Sequence, residues 1–367
     1  MENRKIRIAI THGDTNGTGY ELIFKAFAEP GMLELCTPVI YGSPKVAAYH
    51  RNVLDVQANF CIINNAEETQ DGRLNLLTVL EDDTKVEMGT PTAESGEAAV
   101  KALNMAISDC QKGLVDAIAG APVGESNFRL GNTDCKDQAT LLEKTVGEGR
   151  EALRMIVGKK MRIAFATTDM PLKEVAQAIT TELVEQKAAA LHETLLRDFR
   201  LSNPRIAILA LNPTEESGSG AESEETTILR PAMEKLEADG KQVFGPYPAE
   251  RFFGEAQYTA FDGILAMYKD QGTIAFRTIE QENGVRVCAA MPVVMTMPDI
   301  GPEFRKAGSG EADGQTMRNA IYSAIDMARN RADYDEARKD PLRKLYHERR
   351  DESDKARFNI TKRKAAE

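Results

Sequence analysis

Apolar and polar positions along the chain switch repeatedly between a period of two and a period near 3.6, so short strands and amphipathic helices are expected to alternate. Lys5–Ile10 alternates and ends in apolar residues, a first strand, and Ile23, Phe24, Ala26 and Phe27 mark the helix after it. Thr37–Tyr41 reads as a strand, Pro44–Val53 as a helix, and residues 62–95 as a β-rich excursion with several turns. Ser95–Lys112 is a helix with Ala98, Ala99, Ala102, Met105 and Ala106 on one side, and Leu114–Ala119 is a strand. A helix over Leu141–Val146, a strand over Met161–Thr168, a helix over Ala176–Phe199 and a strand over Arg205–Leu211 continue the alternation. Val285–Thr296 reads as one late strand, and Gly308–Asn330 as a helix with Ala320, Ile321, Ala324, Ile325 and Ala328 inward. No internal repeat is visible. The pattern predicts an α/β fold built on a mostly parallel sheet.

Two stretches depart from plain alternation. In Ile264–Gly272 an apolar run, Ile264 to Met267, ends abruptly in Tyr268-Lys269-Asp270-Gln271 and then Gly272. That is the pattern of a buried strand delivering polar side chains to its carboxyl end, where open α/β sheets place their ligands. Near the start, Thr11–Glu21 is a glycine-rich turn between strand and helix, which offers backbone N–H groups to an anion. His12 within it reads as a strand-end residue.

Composition narrows the class. The 367 residues suffice for two α/β domains or one large one, and 42% hydrophobic with 28% charged residues is ordinary for a globular chain. No segment approaches the ~18 apolar residues of a membrane span. The opening MENRKIRIAITHGD lacks the apolar core of a signal peptide, so a cytoplasmic location is expected. A net charge of −11 and a pI near 5.2 argue against nucleic acid as a partner. The five cysteines form no CxxC pair and read as free thiols, with Cys135, in the polar run Asn132–Asp137, the one candidate for reactivity. The four histidines (His12, His50, His192 and His347) show no metal-ligand spacing. From Arg331 the tail is highly charged.

The Ile264–Gly272 segment resembles the 4-hydroxythreonine-4-phosphate dehydrogenases of vitamin B6 synthesis, which typically carry MYHDQG there. Other segments resemble the same family in the same order. The glycine-rich start, Gly120-Ala121-Pro122 (a TAP or TGP turn), Thr167-Thr168-Asp169-Met170-Pro171-Leu172 (TTHxPL), Asn212-Pro213-Thr214 (NPH) and VFGPYPAERFF (GPYPADxxF) all fall in place over about residues 5–350. The resemblance implies an isocitrate/isopropylmalate-dehydrogenase-like architecture. Two α/β domains, residues 1–130 plus 290–335 and residues 131–289, surround a central cleft, followed by a charged tail, 336–367. It also implies a homodimer with a shared active site.

In the family three histidines hold a divalent metal that polarises the substrate hydroxyl, NAD accepts hydride, and the β-keto acid formed loses carbon dioxide. By this resemblance the three ligand positions here are Asp169, Thr214 and Lys269, and a lysine ammonium both lacks a lone pair and repels a dication. At ~4 Å two like charges oppose each other by about 4 kcal/mol even at an effective dielectric near 20. Counted without gaps, the GHTE substrate motif becomes Asp137-Gln138-Ala139-Thr140, with Gly131-Asn132-Thr133-Asp134 the second choice because it needs a deletion, and the family's lysine, asparagine and arginine for phosphate become Arg277, Arg286 and Met295. Asp299 survives from the SVDHG segment. The expected site is therefore Lys269, Asp169 and Asp270 as catalytic groups, with Gln138, Asn212, Thr214, Arg277, Arg286 and Asp299 around a small anionic substrate. NAD is the expected cofactor and no divalent metal is expected. The primary functional expectation is a divergent family member oxidising an anionic hydroxy acid without metal. The alternative is a catalytically inactive paralogue acting as a binding or regulatory protein, its role carried by the tail or by the acidic run Glu215–Thr227, which otherwise reads as a solvated flexible loop. A third reading is the conventional metal enzyme, with Asp169, Asp270 and Asp299 as ligands.

Overall fold

The computed structural model describes residues 4–81, 84–214, 220–281 and 284–340. Its centre is one twelve-stranded sheet. In chain order the strands are β1 (Arg7–Thr11), β2 (Thr37–Gly42), β3 (Phe60–Ile63), β4 (Leu74–Thr78), β5 (Ala117–Gly120) and β6 (Leu153–Val157), then β7 (Arg162–Phe165), β8 (Arg205–Leu209), β9 (Gln242–Tyr247), β10 (Gly263–Ala266), β11 (Val285–Ala289) and β12 (Met295–Pro298). Across the sheet they lie in the order β3-β4-β2-β1-β5-β12-β11-β6-β7-β10-β8-β9.

Each flank is parallel, as strand–helix alternation requires, and its strands are apolar on both faces because helices cover both. All six residues of β2 are buried, and so are all four of β10. The middle is different. β11 runs antiparallel to β12 and β6, and β6 antiparallel to β7. The sheet is thus mostly parallel, as the pattern suggested, with an antiparallel stretch at its middle. The reason is local: Val285–Thr296 is two strands, because the chain turns back through Ala290, at a φ of +60°, Met291 and Pro292.

Other boundaries also shift. The segment predicted as one helix over Ala176–Phe199 is two helices, Leu172–Ala178 and Thr181–Arg197, and Thr180 caps the second by accepting from Leu183 N. The last described helix, Gly314–Lys339, starts later than predicted, where Asp313 caps it, and continues through residues read as charged tail. Its inner face, including Ala320, Ile321, Ala324 and Ile325, is buried. That face packs on β5, β12 and the helix Gly19–Phe27. The tail beyond 340 lies outside the described residues, as does the start of the acidic run, 215–219. Glu225, from the same run, is not solvated. It is 3% exposed and hydrogen-bonds Asn212. Cys135 is likewise buried, at 2% exposure, in an apolar cluster.

Candidate active site

A cavity of about 150 Å³ opens where the carboxyl ends of β5, β12, β7 and β10 meet around β6 and β11. Its position follows from the sheet order, since the antiparallel pair β11–β6 joins the two parallel flanks and leaves their functional loops facing each other.

The helix Lys269–Glu280 forms one wall. The preserved Gln271 and Gly272 aim it. Gln271 accepts from Met267 N at 2.8 Å and donates to Ala210 O at 2.6 Å, tying the helix start to the ends of β10 and β8. At Gly272 a Cβ would lie 2.7 Å from Ile163 Cγ2, so only glycine lets the helix sit this close to β7. Lys269 is thereby set at the cavity mouth, and its Nζ lies 2.6 Å from Asp169 Oδ1. Burial pushes the Asp169 carboxyl up, but Lys269, with Lys136 and Arg154 behind it, outweighs burial and holds it below the usual range.

Arg277, two turns further along the same helix, grips Asp299 with two hydrogen bonds of 3.0 Å. Arg286 on β11 lies 3.7 Å from the same carboxylate and donates to the carbonyls of Pro298 and Ile300. Gln138 opens the helix Gln138–Val146 on the opposite wall. It is 6% exposed and donates from Nε2 to Ala121 O at 3.1 Å. Lys269, Asp169, Gln138, Arg277, Arg286 and Asp299 therefore all line one cavity.

Three expected residues lie elsewhere. Asp270 is exposed in the first turn of its helix, where its charge complements the helix dipole, and it is outside the lining. Asn212 is held by Glu224 and Glu225, and Thr214 is exposed beyond it, both outside the cavity lining. The glycine-rich turn is no anion cradle either. The backbone N–H groups of Asp14, Asn16, Gly17 and Thr18 are consumed by Pro122 O, the Asp14 side chain, Asp14 O and Pro302 O.

Arg154 is a charged cavity residue that the sequence reading missed. It stands on β6, a strand that reading also lacked, although Ala152–Val157 is a mostly apolar run bounded by Gly149 and Gly158. Arg154 donates to Asp137 at 2.8 Å and to Thr140 and Glu143 at longer range. Asp137 also caps the helix Gln138–Val146 through Thr140 N. Burial works against its ionised form, yet the Arg154 guanidinium and the cap bonds hold the Asp137 carboxyl down at about 2.

The family's divalent metal does not fit these residues. By the resemblance Lys269 stands at one ligand position, and its ammonium donates to Asp169, which stands at a second. Among the described residues the group best placed for a cation is Glu125, Asp137 and Asp169, whose oxygens lie within 4.8 Å of one another. Asp137 is already taken by Arg154 and Asp169 by Lys269.

Residues 34–324 match the family described as pyridoxal phosphate biosynthetic protein PdxA. A 4-hydroxythreonine-4-phosphate dehydrogenase of Bacteroides thetaiotaomicron is 46% identical over 359 residues, covering 98% of this chain and 99% of its own. One from Geobacter metallireducens is 33% identical and covers 90% of this chain and 97% of its own. The crystal structure of the 4-hydroxythreonine-4-phosphate dehydrogenase of Klebsiella pneumoniae superposes with a TM-score of 0.79 at 26% identity, over 89% of this chain and 99% of that one. Near-complete coverage by both sequence and fold, with the cavity at the meeting of the two flanks, leads to one statement of kinship: the chain belongs to the PdxA family.

Proposed function

We propose that the protein is an NAD-dependent dehydrogenase acting on a small anionic hydroxy acid of the 4-hydroxythreonine 4-phosphate kind, with Lys269 doing the electrostatic work given to a metal elsewhere in its family. The observation that carries this reading is the Lys269–Asp169 pair at 2.6 Å, on the rim of a cavity whose far side holds Arg277 and Arg286. Bound NAD supplies the hydride acceptor. The chain's own residues do the rest. The Lys269 ammonium holds the substrate carboxylate and reaches the neighbouring oxygen that becomes a carbonyl, where it stabilises developing negative charge. Asp169, kept ionised, fixes Lys269 in place. Arg277 and Arg286 hold the distal anion. With NAD bound as hydride acceptor, the hydroxyl proton would pass to water at the open cavity mouth, and the resulting β-keto acid would lose its carboxylate as carbon dioxide, the enolate left behind taking a proton from water.

The relatives' printed activities and the surviving cationic pair support this substrate class. The test is spectrophotometric: NADH formation from 4-hydroxythreonine 4-phosphate in the wild-type protein and in Lys269→Ala. Turnover in the wild type that disappears in the variant supports the reading, whereas turnover surviving Lys269→Ala refutes it.

A second reading has its own observation. Lys269, Arg154, Arg277 and Arg286 each already meet a carboxylate of the chain. A site so neutralised suits a retired active site serving as a binding or regulatory protein. Absence of turnover together with absence of NAD binding by calorimetry would favour it.

A further inference from the structure

Lys269, Thr273 and Arg277 all face the cavity. Their spacing of four residues stacks them along one side of the helix Lys269–Glu280 over about 12 Å. The outer two are the cations held on Asp169 and Asp299. Thr273, between them, is 8% exposed, and its Oγ1 meets no hydrogen-bond partner among the described residues.

That is out of character for this protein. A threonine inside a helix commonly returns its hydroxyl to the carbonyl one turn back. Thr145 does so to Leu141 O at 2.7 Å, Thr194 to Ala190 O at 2.8 Å, and Thr278, on the same helix as Thr273, to Ile274 O at 2.8 Å. A buried hydroxyl left without a partner destabilises the fold, so its persistence calls for a reason. The staggered χ1 positions open to a helical threonine turn Oγ1 between helix and cavity without moving the backbone.

We infer that Thr273 is a specificity-determining residue, whose hydroxyl pairs with a hydroxyl in the middle of a ligand anchored at its anionic ends by Lys269 and by Arg277 with Arg286. The inference rests on the proposed function and deepens it. In 4-hydroxythreonine 4-phosphate the group in question is the 3-hydroxyl, which lies between the carboxylate and the phosphate.

The test is a calorimetric cycle with two ligands and three proteins. The ligands are 4-hydroxythreonine 4-phosphate and O-phosphohomoserine, the same skeleton without the 3-hydroxyl. The proteins are the wild type, Thr273→Val and Thr273→Ser. One hydrogen bond corresponds to a preference for the hydroxylated ligand of about ten-fold. The wild type is expected to show it, Thr273→Val to lose it and Thr273→Ser to retain it. Thr273→Val keeps the shape and deletes an unpaired hydroxyl, so an undiminished melting temperature confirms its fold. Preference unchanged in Thr273→Val overturns the inference. Equal binding of both ligands to the wild type also overturns it, while leaving the cavity reading intact. If neither ligand binds the wild type, the cavity reading falls and the role of Thr273 falls with it.

Discussion

Arg331 and Asp198 form a two-pronged ion pair inside the protein: Nε to Oδ1 and Nη2 to Oδ2, both at 2.8 Å, with side chains 10% and 2% exposed. The same guanidinium donates to the carbonyls of Met291 and Pro292. The helix Gly314–Lys339 thus holds the end of the helix Thr181–Arg197 and the turn between β11 and β12 at one point. Nearby, Arg200, just past the end of the helix Thr181–Arg197, pairs with Asp333 at the surface. Deleting one member of a buried pair strands the other, at about 3–5 kcal/mol, whereas an exposed pair contributes under about 1 kcal/mol. Urea unfolding should therefore show a large loss for Arg331→Ala and little for Asp333→Ala. Equal losses would remove the distinction.

Chelation tests the chemistry at Lys269 directly. If the Lys269 ammonium serves where relatives use a metal, exhaustive treatment with EDTA should leave turnover within about two-fold. A collapse of activity that added magnesium or zinc restores would return the protein to conventional metal chemistry.

Asp137 is expected to matter for stability before it matters for catalysis. Its carboxyl is held at about 2, below the ordinary 3.8. A depressed carboxylate contributes stability that is complete above the unfolded value and is lost as pH falls through the folded one, here between about pH 4 and 2. The difference corresponds to about 2 kcal/mol at pH 7. Asp137→Asn should lower unfolding free energy by about that amount and flatten its acid limb. An unchanged limb would exclude the Arg154 pair as its source.

A second acid response is expected at milder pH. His12 and His50, stacked on either side of Tyr20, are both pulled by burial from 6.5 down to about 4. Their neutral forms belong to the fold, so stability is full above about pH 6.5 and declines as pH falls toward 4. Asp14 acts in the opposite sense. Burial raises it to about 6, so its destabilising charge fades as pH falls through that value. Two groups against one leave a net loss on the order of 3 kcal/mol between pH 7 and 4.5. Denaturant titrations across that range should find it, and His12→Leu should remove much of it. A flat profile in the wild type would contradict the assignment.

Much of this architecture was legible because strand and helix periods are strong local signals. β1, β2, β8 and β10 fall close to where alternation and apolar runs place them. Lys269 and Asp169 were legible as a pair only through kinship, since they are far apart in the chain and nothing local links them. What escaped was non-local. β6 was overlooked, and Arg154 with it, because a single arginine interrupts an otherwise apolar run. The β11–β12 reversal was hidden in continuous apolar sequence, where only Pro292 marks a turn. Asn212 and Thr214 read as cavity residues by motif, yet Glu224 and Glu225, from a run read as a solvated loop, hold Asn212 away from the cavity.

The position of β12 has a consequence for biosynthesis. It pairs with β5, a strand made far earlier, and the helix Gly314–Lys339 covers both strands and the helix Gly19–Phe27. While the ribosome is still adding the residues beyond β11, the nascent amino-terminal half therefore carries an unpaired sheet edge at β5 and an uncovered apolar surface, the features that invite aggregation. Maturation of that part therefore waits for synthesis of β12 and the helix Gly314–Lys339, and a chain truncated before β12 is expected to be a substrate for chaperones and proteases rather than a smaller folded protein.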